Sequence, residues 1–526
     1  MFKKYFTPIL LIIISLLSVG LFLYHLTISP PSLNADEATN AYDAYSILKT
    51  GKDQYGTFLP LRFKSFGDYK LPLLTYLAIP FVKIFGLNEL AIRLVNLPFV
   101  FFFPIIVYLL ANELFGKKLI SLTASFLAAF SPGLQLLGRQ AHEGYLTAFF
   151  MTTTFYFFIK FIKNKKINFF LLFNLFFLIS LFGYHSTRVW IGFFFLIIIY
   201  FIYKKIFPLK NLIIFLGFIS LFLITDYFYK PTRVANLLIF NNQGFTSKMK
   251  ELQNESRYPF LYNKLTVGIT EILNHYLVYF SPQFLVIEGD KNYRFGFPGV
   301  SPITYLEYIF IFVGLYYLFK NKEKFRHLIL LSFLFSPLSG SLTWADQSIT
   351  RTIFIFIPIF LISSYGVVNF FNKKNLFLSV ILVTCYLILL FYSWDFYLHH
   401  YPKRAIVLRS WQAGYKELAD YIKNNYHKFD RFYITKKNGQ PYIFLLFYLQ
   451  YPPEKYQKIA LLSPPDEYGF GQINGFDKFY FELWPITNKN RYAIIGYPDD
   501  FDLKNEKNLK EIKIQTETIF LIKEVD

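Results

Sequence analysis

The chain has 526 residues, 54% hydrophobic and 21% aromatic, with 17% charged and a mean hydropathy of +0.36, a balance that excludes an ordinary soluble domain. A single cysteine, Cys385 inside an apolar run, excludes a disulfide framework and a cysteine metal site. The net charge of +20 invites a nucleic-acid reading, but the lysines fall largely in short loops between apolar runs, so no nucleic-acid partner is implied.

The first apolar run, 6–27, follows Lys3-Lys4. It is longer than a secretory apolar region and no small-x-small cleavage site follows it, so it reads as a retained helix. Further runs at 89–113, 119–137, 144–162, 168–183, 189–207, 211–229, 302–320, 327–343, 350–371 and 376–394 bring the expectation to about eleven spans. Loops with Lys117-Lys118, Lys160 to Lys166, Lys204 to Lys210, Lys320 to Arg326 and Lys373-Lys374 alternate with the lysine-free connections 138–143, 184–188 and 344–349. The positive-inside rule then sets the N-terminus in the cytoplasm and the C-terminus outside a multi-pass cytoplasmic membrane protein. The outward segments are two long loops, about 28–88 and 230–301, three short turns, and the tail. The stretch 71–88, interrupted by Pro80 and Lys83, reads as a helix lying in the outer interface.

The tail changes character. A helical periodicity over 411–429 is followed by strand-like runs at 431–435, 491–497, 509–515 and 518–525, the last two near a hairpin. The expected fold is therefore a polytopic α-helical membrane domain, 1–395, with a small extracytoplasmic α/β domain, 396–526.

The first outer loop holds the polar groups best suited to chemistry. Asp36-Glu37 follows the first span, and Asp68-Tyr69-Lys70 runs into Leu71-Pro72. A carboxylate here can take a proton from an acceptor hydroxyl or amine. The structural alternative is that Asp36 caps a helix ending at Gly51, on which Asp43 is a solvated residue. Lys70 suits a phosphate, or merely flanks the interfacial helix. The short outer turns repeat one set of residue types: Arg139, His142 and Glu143; Tyr184, His185 and Arg188; Asp346 with Arg351. Arginine is costly near a bilayer and its fork matches phosphate oxygens, so a shared anionic ligand is expected. The alternative for each is snorkelling, or a local pair such as Arg139–Glu143 at i, i+4. Glu288, Asp290 and Arg294 lie in a turn-rich stretch with no metal spacing. No zinc signature, phosphate-binding nucleotide loop or serine nucleophile elbow is present.

With "DEATNAYDAY", "DYKLPLLTYL" and "LNELAIRLVNLPF", the chain resembles the GT-C glycosyltransferases, most nearly the protein O-mannosyltransferases and the lipid A aminoarabinose transferases. The resemblance covers the first ~200 residues and the later spans by topology; the tail resembles no well-described member. It implies transfer of a sugar from a polyprenyl-phosphate donor to a protein, lipid or glycan acceptor at the outer face, with inversion. It implies Asp36 as base, Glu37 beside it, and Lys70 on the donor phosphate. The lipid A enzymes carry an arginine shortly after the acidic pair. Ala38-Thr39-Asn40 stands there instead, which leaves Arg139 or Arg188 to substitute. Asp68, His142, Glu143, Tyr184, His185 and Arg351 become candidate substrate contacts. No cofactor is required, and a divalent cation is not indicated. The oligosaccharyltransferase Trp-Trp-Asp-Tyr-Gly signature is absent. The alternatives are a lipid or glycan transporter or flippase, which calls for ionisable groups at mid-membrane depth, and a non-catalytic assembly subunit.

Overall fold

The computed structural model describes residues 2–66, 68–229, 237–344, 347–371, 376–462, 473–482, 491–504, 506 and 508–525, without the side chains of 2–5 and 68. Lys373-Lys374 and Asp346 lie outside the described residues. The chain divides into two units: Met1–Tyr24 with Asn96–Tyr397, and His25–Val95 with Leu398–Asp526.

The first unit is helical. Six described helices are long and apolar enough to cross a membrane: Phe6–Leu23, Glu89–Phe115, Glu143–Asn164, Lys210–Tyr229, Ile353–Phe371 and Leu376–Lys403. A seventh is counted if Lys118–Phe130 and Pro132–Arg139, bent by 50°, make one span. The bend has a local cause, because Ser131 precedes a proline and is turned out of the helical region at ψ 119°. The number is smaller than the expected eleven because apolar runs are not the same as helices. The expected span 327–343 breaks at Pro337 into Arg326–Phe335 and Leu338–Ser341. Ile167–Leu181 and Thr187–Tyr203 are apolar but shorter, and Tyr305–Lys320 has 16 residues.

Small residues bring helices together where lipid supplies no hydrophobic drive. A Cβ at Gly314 of Tyr305–Lys320 would lie 2.0 Å from the Ile362 carbonyl oxygen, and one at Gly366 would lie 2.5 Å from that of Phe310. Ser363 adds a hydrogen bond to the Glu307 carbonyl at 3.2 Å. Elsewhere the aromatic residues fill the contacts, as where Trp190 stands edge-on to Phe155 at 5.6 Å and Phe335 at 5.2 Å.

The second unit joins the first loop to the tail, so it cuts across the expected division at 395/396. A short antiparallel pair, β1 (Phe63–Ser65) and β2 (Asp68–Lys70), sits in the loop. The tail supplies β3 (Arg431–Ile434), β4 (Leu461–Leu462), β5 (Ile473–Phe476), β6 (Phe479–Tyr480), β7 (Tyr492–Gly496), β8 (Lys510–Ile514) and β9 (Glu517–Val525). They form a sheet of order β4-β5-β6-β3-β7-β9-β8, in which β3 runs parallel to β6 and β7. β8 and β9 form the anticipated antiparallel hairpin. The loop helix Ala35–Thr50 is tied to the tail by hydrogen bonds: Ala35 N donates to Gln412 Oε1 at 3.0 Å and Tyr42 Oη to the Tyr451 carbonyl at 2.8 Å. Gln457 donates to the Asp53 carbonyl at 2.8 Å, and Tyr448 to Glu89 at 2.6 Å.

A buried arginine organises this unit. Arg93 is fully buried and donates through Nη1 to the carbonyls of Leu26 at 2.8 Å and Pro30 at 3.0 Å, and through Nη2 to that of Ser32. Its Nε lies 3.4 Å from Glu37 Oε1, and its guanidinium covers the Trp411 ring at 5.9 Å. The carbonyls of an irregular buried segment need donors, and one planar cation supplies three of them.

Asp43 is buried and accepts from the Gln54 backbone at 3.0 Å and the Gln54 amide at 3.2 Å. This corrects the solvated reading, which assumed a helix with one wet face; the loop helix is packed nearly all round. Burial, followed by the neighbouring Asp53 charge, pushes the Asp43 carboxyl well above its ordinary range.

Two outcomes follow. Arg93→Ala strands the buried Glu37 carboxylate and lowers stability by about 3–5 kcal/mol, read as a loss of melting temperature in detergent; an unchanged melt would show that Arg93 carries no such load. Asp43 holds a proton in the fold that the unfolded chain releases, so its contribution is greatest below about pH 4 and declines as pH rises toward the folded value. Asp43→Asn, whose amide can still meet a turned Gln54, should melt no lower at neutral pH and should flatten that decline. A steeper decline would overturn the assignment.

Candidate active site

The helix Ala35–Thr50 starts at Asn34, not at Asp36. Asn34 Oδ1 accepts from the backbone of Asp36 at 2.9 Å and Glu37 at 3.0 Å, and Glu37 Oε2 accepts from Asn34 N at 3.2 Å. A capping box needs its acceptor three residues before the glutamate, and only Asn34 has that spacing from Glu37. The acidic pair is thereby divided. Glu37 is buried, held by the cap on one oxygen and Arg93 on the other. Asp36 keeps 42% of its side chain exposed, at the positive end of the helix where a carboxylate is favoured.

Asp36 Oδ1 meets Lys70 Nζ at 2.8 Å, and Nζ also donates to the Asp36 carbonyl at 3.4 Å. Lys70 ends β2, opposite Phe63 of β1, and only 8% of its side chain is exposed. The Phe66 ring lies 5.3 Å from its ammonium. Past Leu71-Pro72 the chain enters the helix Leu73–Phe85, and Thr75 donates to Asn40 at 3.0 Å, fixing this helix against the one that bears Asp36. Two polar clusters distant in sequence thus become one carboxylate–ammonium pair, open on the carboxylate side. Asp68 is the first residue of β2; its side chain is outside the described residues.

The other candidates belong to the first unit. Arg139 ends the helix Pro132–Arg139 and is fully buried. Its guanidinium donates to the carbonyls of Leu21 at 2.6 Å, Phe22 at 2.8 Å and Tyr24 at 2.8 Å, and covers Tyr397 at 5.6 Å. It caps the orphan carbonyls that close the helix Phe2–Leu23. An enclosed and occupied guanidinium is at odds with the expected phosphate contact. The i, i+4 pair with Glu143 also fails, since the helix stops at Arg139 and Glu143 opens the next one. Arg188 pairs with Asp226 at 3.1 Å and covers Phe222 at 5.4 Å, so it is not the lone cation its turn suggested. Arg351 donates to Thr343 Oγ1 at 3.1 Å.

His142 is the N-cap of Glu143–Asn164, its Nδ1 accepting from Gly144 N at 2.9 Å. That bond requires an unprotonated Nδ1. Its ring packs on Tyr184 at 5.4 Å and Phe295 at 5.2 Å, bringing three of the connecting segments together. Tyr184, His185 and Arg188 share one tight turn, with Thr187 N bonded to the Tyr184 carbonyl and Arg188 N to that of His185. Asp290 is buried and accepts from Ser348 Oγ at 2.7 Å and Ile349 N at 2.9 Å, a bridge between the second loop and the third turn.

The residues that sequence reasoning passed over are Asn34, Arg93, Thr75 and Asp226. Arg93 and Asp226 carried a signal. Each is a charge set within an apolar run, and such a charge demands a partner.

Residues 70–227 match the family model described as dolichyl-phosphate-mannose-protein mannosyltransferase. Among solved structures, the chain is similar to the archaeal oligosaccharyltransferase AglB from Archaeoglobus fulgidus, solved with an inhibitory peptide and a dolichol-phosphate. The TM-score is 0.51 at 14% identity, over 85% of this chain and 64% of that one, so the chain spans less than two thirds of that protein's length. It is also similar to ArnT from Cupriavidus metallidurans in the apo state, with a TM-score of 0.51 at 12% identity over 96% of this chain and 97% of that one. At such identities these likenesses concern the fold. No curated protein matches the chain in sequence. The chain therefore shares the fold of these two membrane proteins, and its segment 70–227 is similar to the mannosyltransferase family.

Proposed function

We propose that the chain is a multi-pass membrane glycosyltransferase that moves a hexosyl or pentosyl group from a polyprenyl-phosphate donor to an acceptor at the extracytoplasmic face, with inversion. The observation that carries this reading is the Asp36–Lys70 pair. Of two adjacent carboxylates, one is consumed by the fold and the other is left exposed, 2.8 Å from a mostly buried ammonium. The mannosyltransferase-family segment and the dolichol-phosphate held by the archaeal relative in fold support a lipid-phosphate donor.

In the proposed reaction the acceptor hydroxyl or amine gives its proton to Asp36 as it attacks the anomeric carbon. The new bond forms as the bond from that carbon to the phosphate oxygen breaks, and polyprenyl phosphate leaves with the electron pair. Negative charge grows on the departing phosphate, where a fixed cation is most effective. Lys70 supplies it. Because one ammonium faces both anions, it also limits the repulsion between the base and the incoming phosphate. Phe66 and the strand pairing hold that ammonium in place before the donor arrives.

Asp36→Asn should reduce transfer by about 10²–10⁴-fold while donor lipid still binds. Transfer within a few-fold of wild type would remove Asp36 as the base. Lys70→Ala should weaken donor binding by about 1.5–3 kcal/mol, the loss of a charged hydrogen bond. The orientation has its own check: a reporter fused after Asp526 should read as extracytoplasmic and one at Lys165 as cytoplasmic. A cytoplasmic signal after Asp526 would put the Asp36 loop on the wrong side for an outward-facing donor.

A further inference from the structure

The second long loop contains a helical hairpin, Gln243–Glu255 and Lys264–Val278, between the helices Lys210–Tyr229 and Tyr305–Lys320. It has its own small core, in which Phe245 and Val267 pack with Ile239 and Trp344. Gly268 lets Phe240 press against the second helix, since a Cβ there would lie 2.3 Å from the Phe240 ring. Lys248 and Glu271 clamp the two helices at 2.8 Å.

The second helix presents three faces. Val267, Gly268 and Ile272 point to the core. Leu265, Ile269, Leu273 and Leu277, four residues apart, form an exposed apolar row, and Phe260 and Leu261 extend it around the tip of the hairpin. These six are 47–72% exposed. Beside the row runs a second exposed line, Thr266, Thr270 and Asn274, which is polar. An exposed apolar row with a polar row along its flank is the pattern of a helix lying at a lipid–water boundary; a helix immersed in hydrocarbon has no use for the polar line. The hairpin helix also packs, beside the row, against another helix of the same unit. Tyr276 Oη donates to the Leu334 carbonyl at 2.8 Å and Phe280 packs on Phe333 at 5.0 Å. Leu331 and Leu334 of that helix, Arg326–Phe335, are themselves exposed.

We infer that the hairpin 243–278 is a membrane-interface element, with Phe260, Leu261 and the Leu265–Leu277 row set into the acyl boundary of the bilayer and the Thr266–Asn274 row in the headgroups. The bilayer is the occupant that fits, because the row is narrow, bordered by the core face on one side and by the polar line Thr266–Asn274 on the other, and neighboured by an exposed apolar helix of the same unit. The hairpin then holds its loop at the level where a lipid-linked substrate carries its phosphate. The leaflet rests on the orientation proposed above; the immersion does not.

Single spin labels at Leu265, Ile269, Leu273, Thr270 and Glu255, in the full chain with Cys385→Ser in lipid nanodiscs, test this. Labels on the apolar row should collide several-fold more with oxygen than with a water-soluble nickel chelate, and labels at Thr270 and Glu255 should show the reverse. Leu273→Trp, read by its added fluorescence, should be quenched by lipids brominated near the headgroup end of the acyl chain. Row labels as open to nickel as Glu255 would overturn the inference, and row labels shielded from both reagents would overturn it in favour of a second copy or another protein. A membrane-impermeant thiol reagent on Thr270→Cys reports the side separately. Labelling from the cytoplasmic side alone would defeat the orientation while leaving the immersion result standing.

Discussion

The ion pair between Arg93 and Glu37 is the constraint on which the proposed site depends. A buried cation in contact with a buried carboxylate is costly to assemble and more costly to break. Here it does more than neutralise charge. The same guanidinium gathers the carbonyls of Leu26, Pro30 and Ser32, so the irregular segment that leads into the loop helix has one course. Glu37 passes that constraint on through the capping box with Asn34, which fixes where the helix begins. The position of Asp36 follows from both.

The two acidic neighbours therefore do different work for a geometric reason. Consecutive residues in the first turn of a helix point in different directions, about 100° apart. Once Glu37 is turned inward to Arg93, Asp36 is turned elsewhere, toward Lys70 at 2.8 Å. A carboxylate proposed as a base needs a fixed direction and an open approach. The fold fixes the direction through Glu37, and Asp36 keeps 42% of its side chain exposed. A similar economy governs Arg139, which closes the C-terminal end of the first helix where no water would serve its carbonyls.

In the helical unit the governing limit is the absence of water around backbone groups and of a hydrophobic drive between helices. Gly314 and Gly366 answer the second by letting backbones touch. The first explains why irregular stretches such as 347–352 are stitched by side chains, with Asp290 taking the Ile349 N–H and Ser348 hydroxyl. It also sets the interfacial hairpin apart, since that element satisfies its backbone as helix and needs only one apolar row to rest on lipid.

By itself the sequence determined the membrane class, most helix positions, four tail strands and the two polar clusters of the first loop, because periodicity, apolar run length and turn residues are local properties. It also singled out Asp36 and Lys70, through their place beside a span and a proline, and the fold brings the two side chains to 2.8 Å. It misjudged what depends on contacts between distant residues. Asp43 was assigned to solvent because nothing local reveals that the tail covers the loop helix. Arg139 was assigned to a ligand because its carbonyl partners lie more than a hundred residues away. The division at 395/396 followed a real change in composition, whereas the units follow contacts, and Tyr42 and Tyr451 meet across most of the chain length. Charge, burial and partner are joint properties of packed residues, and only the tertiary structure brings those residues together.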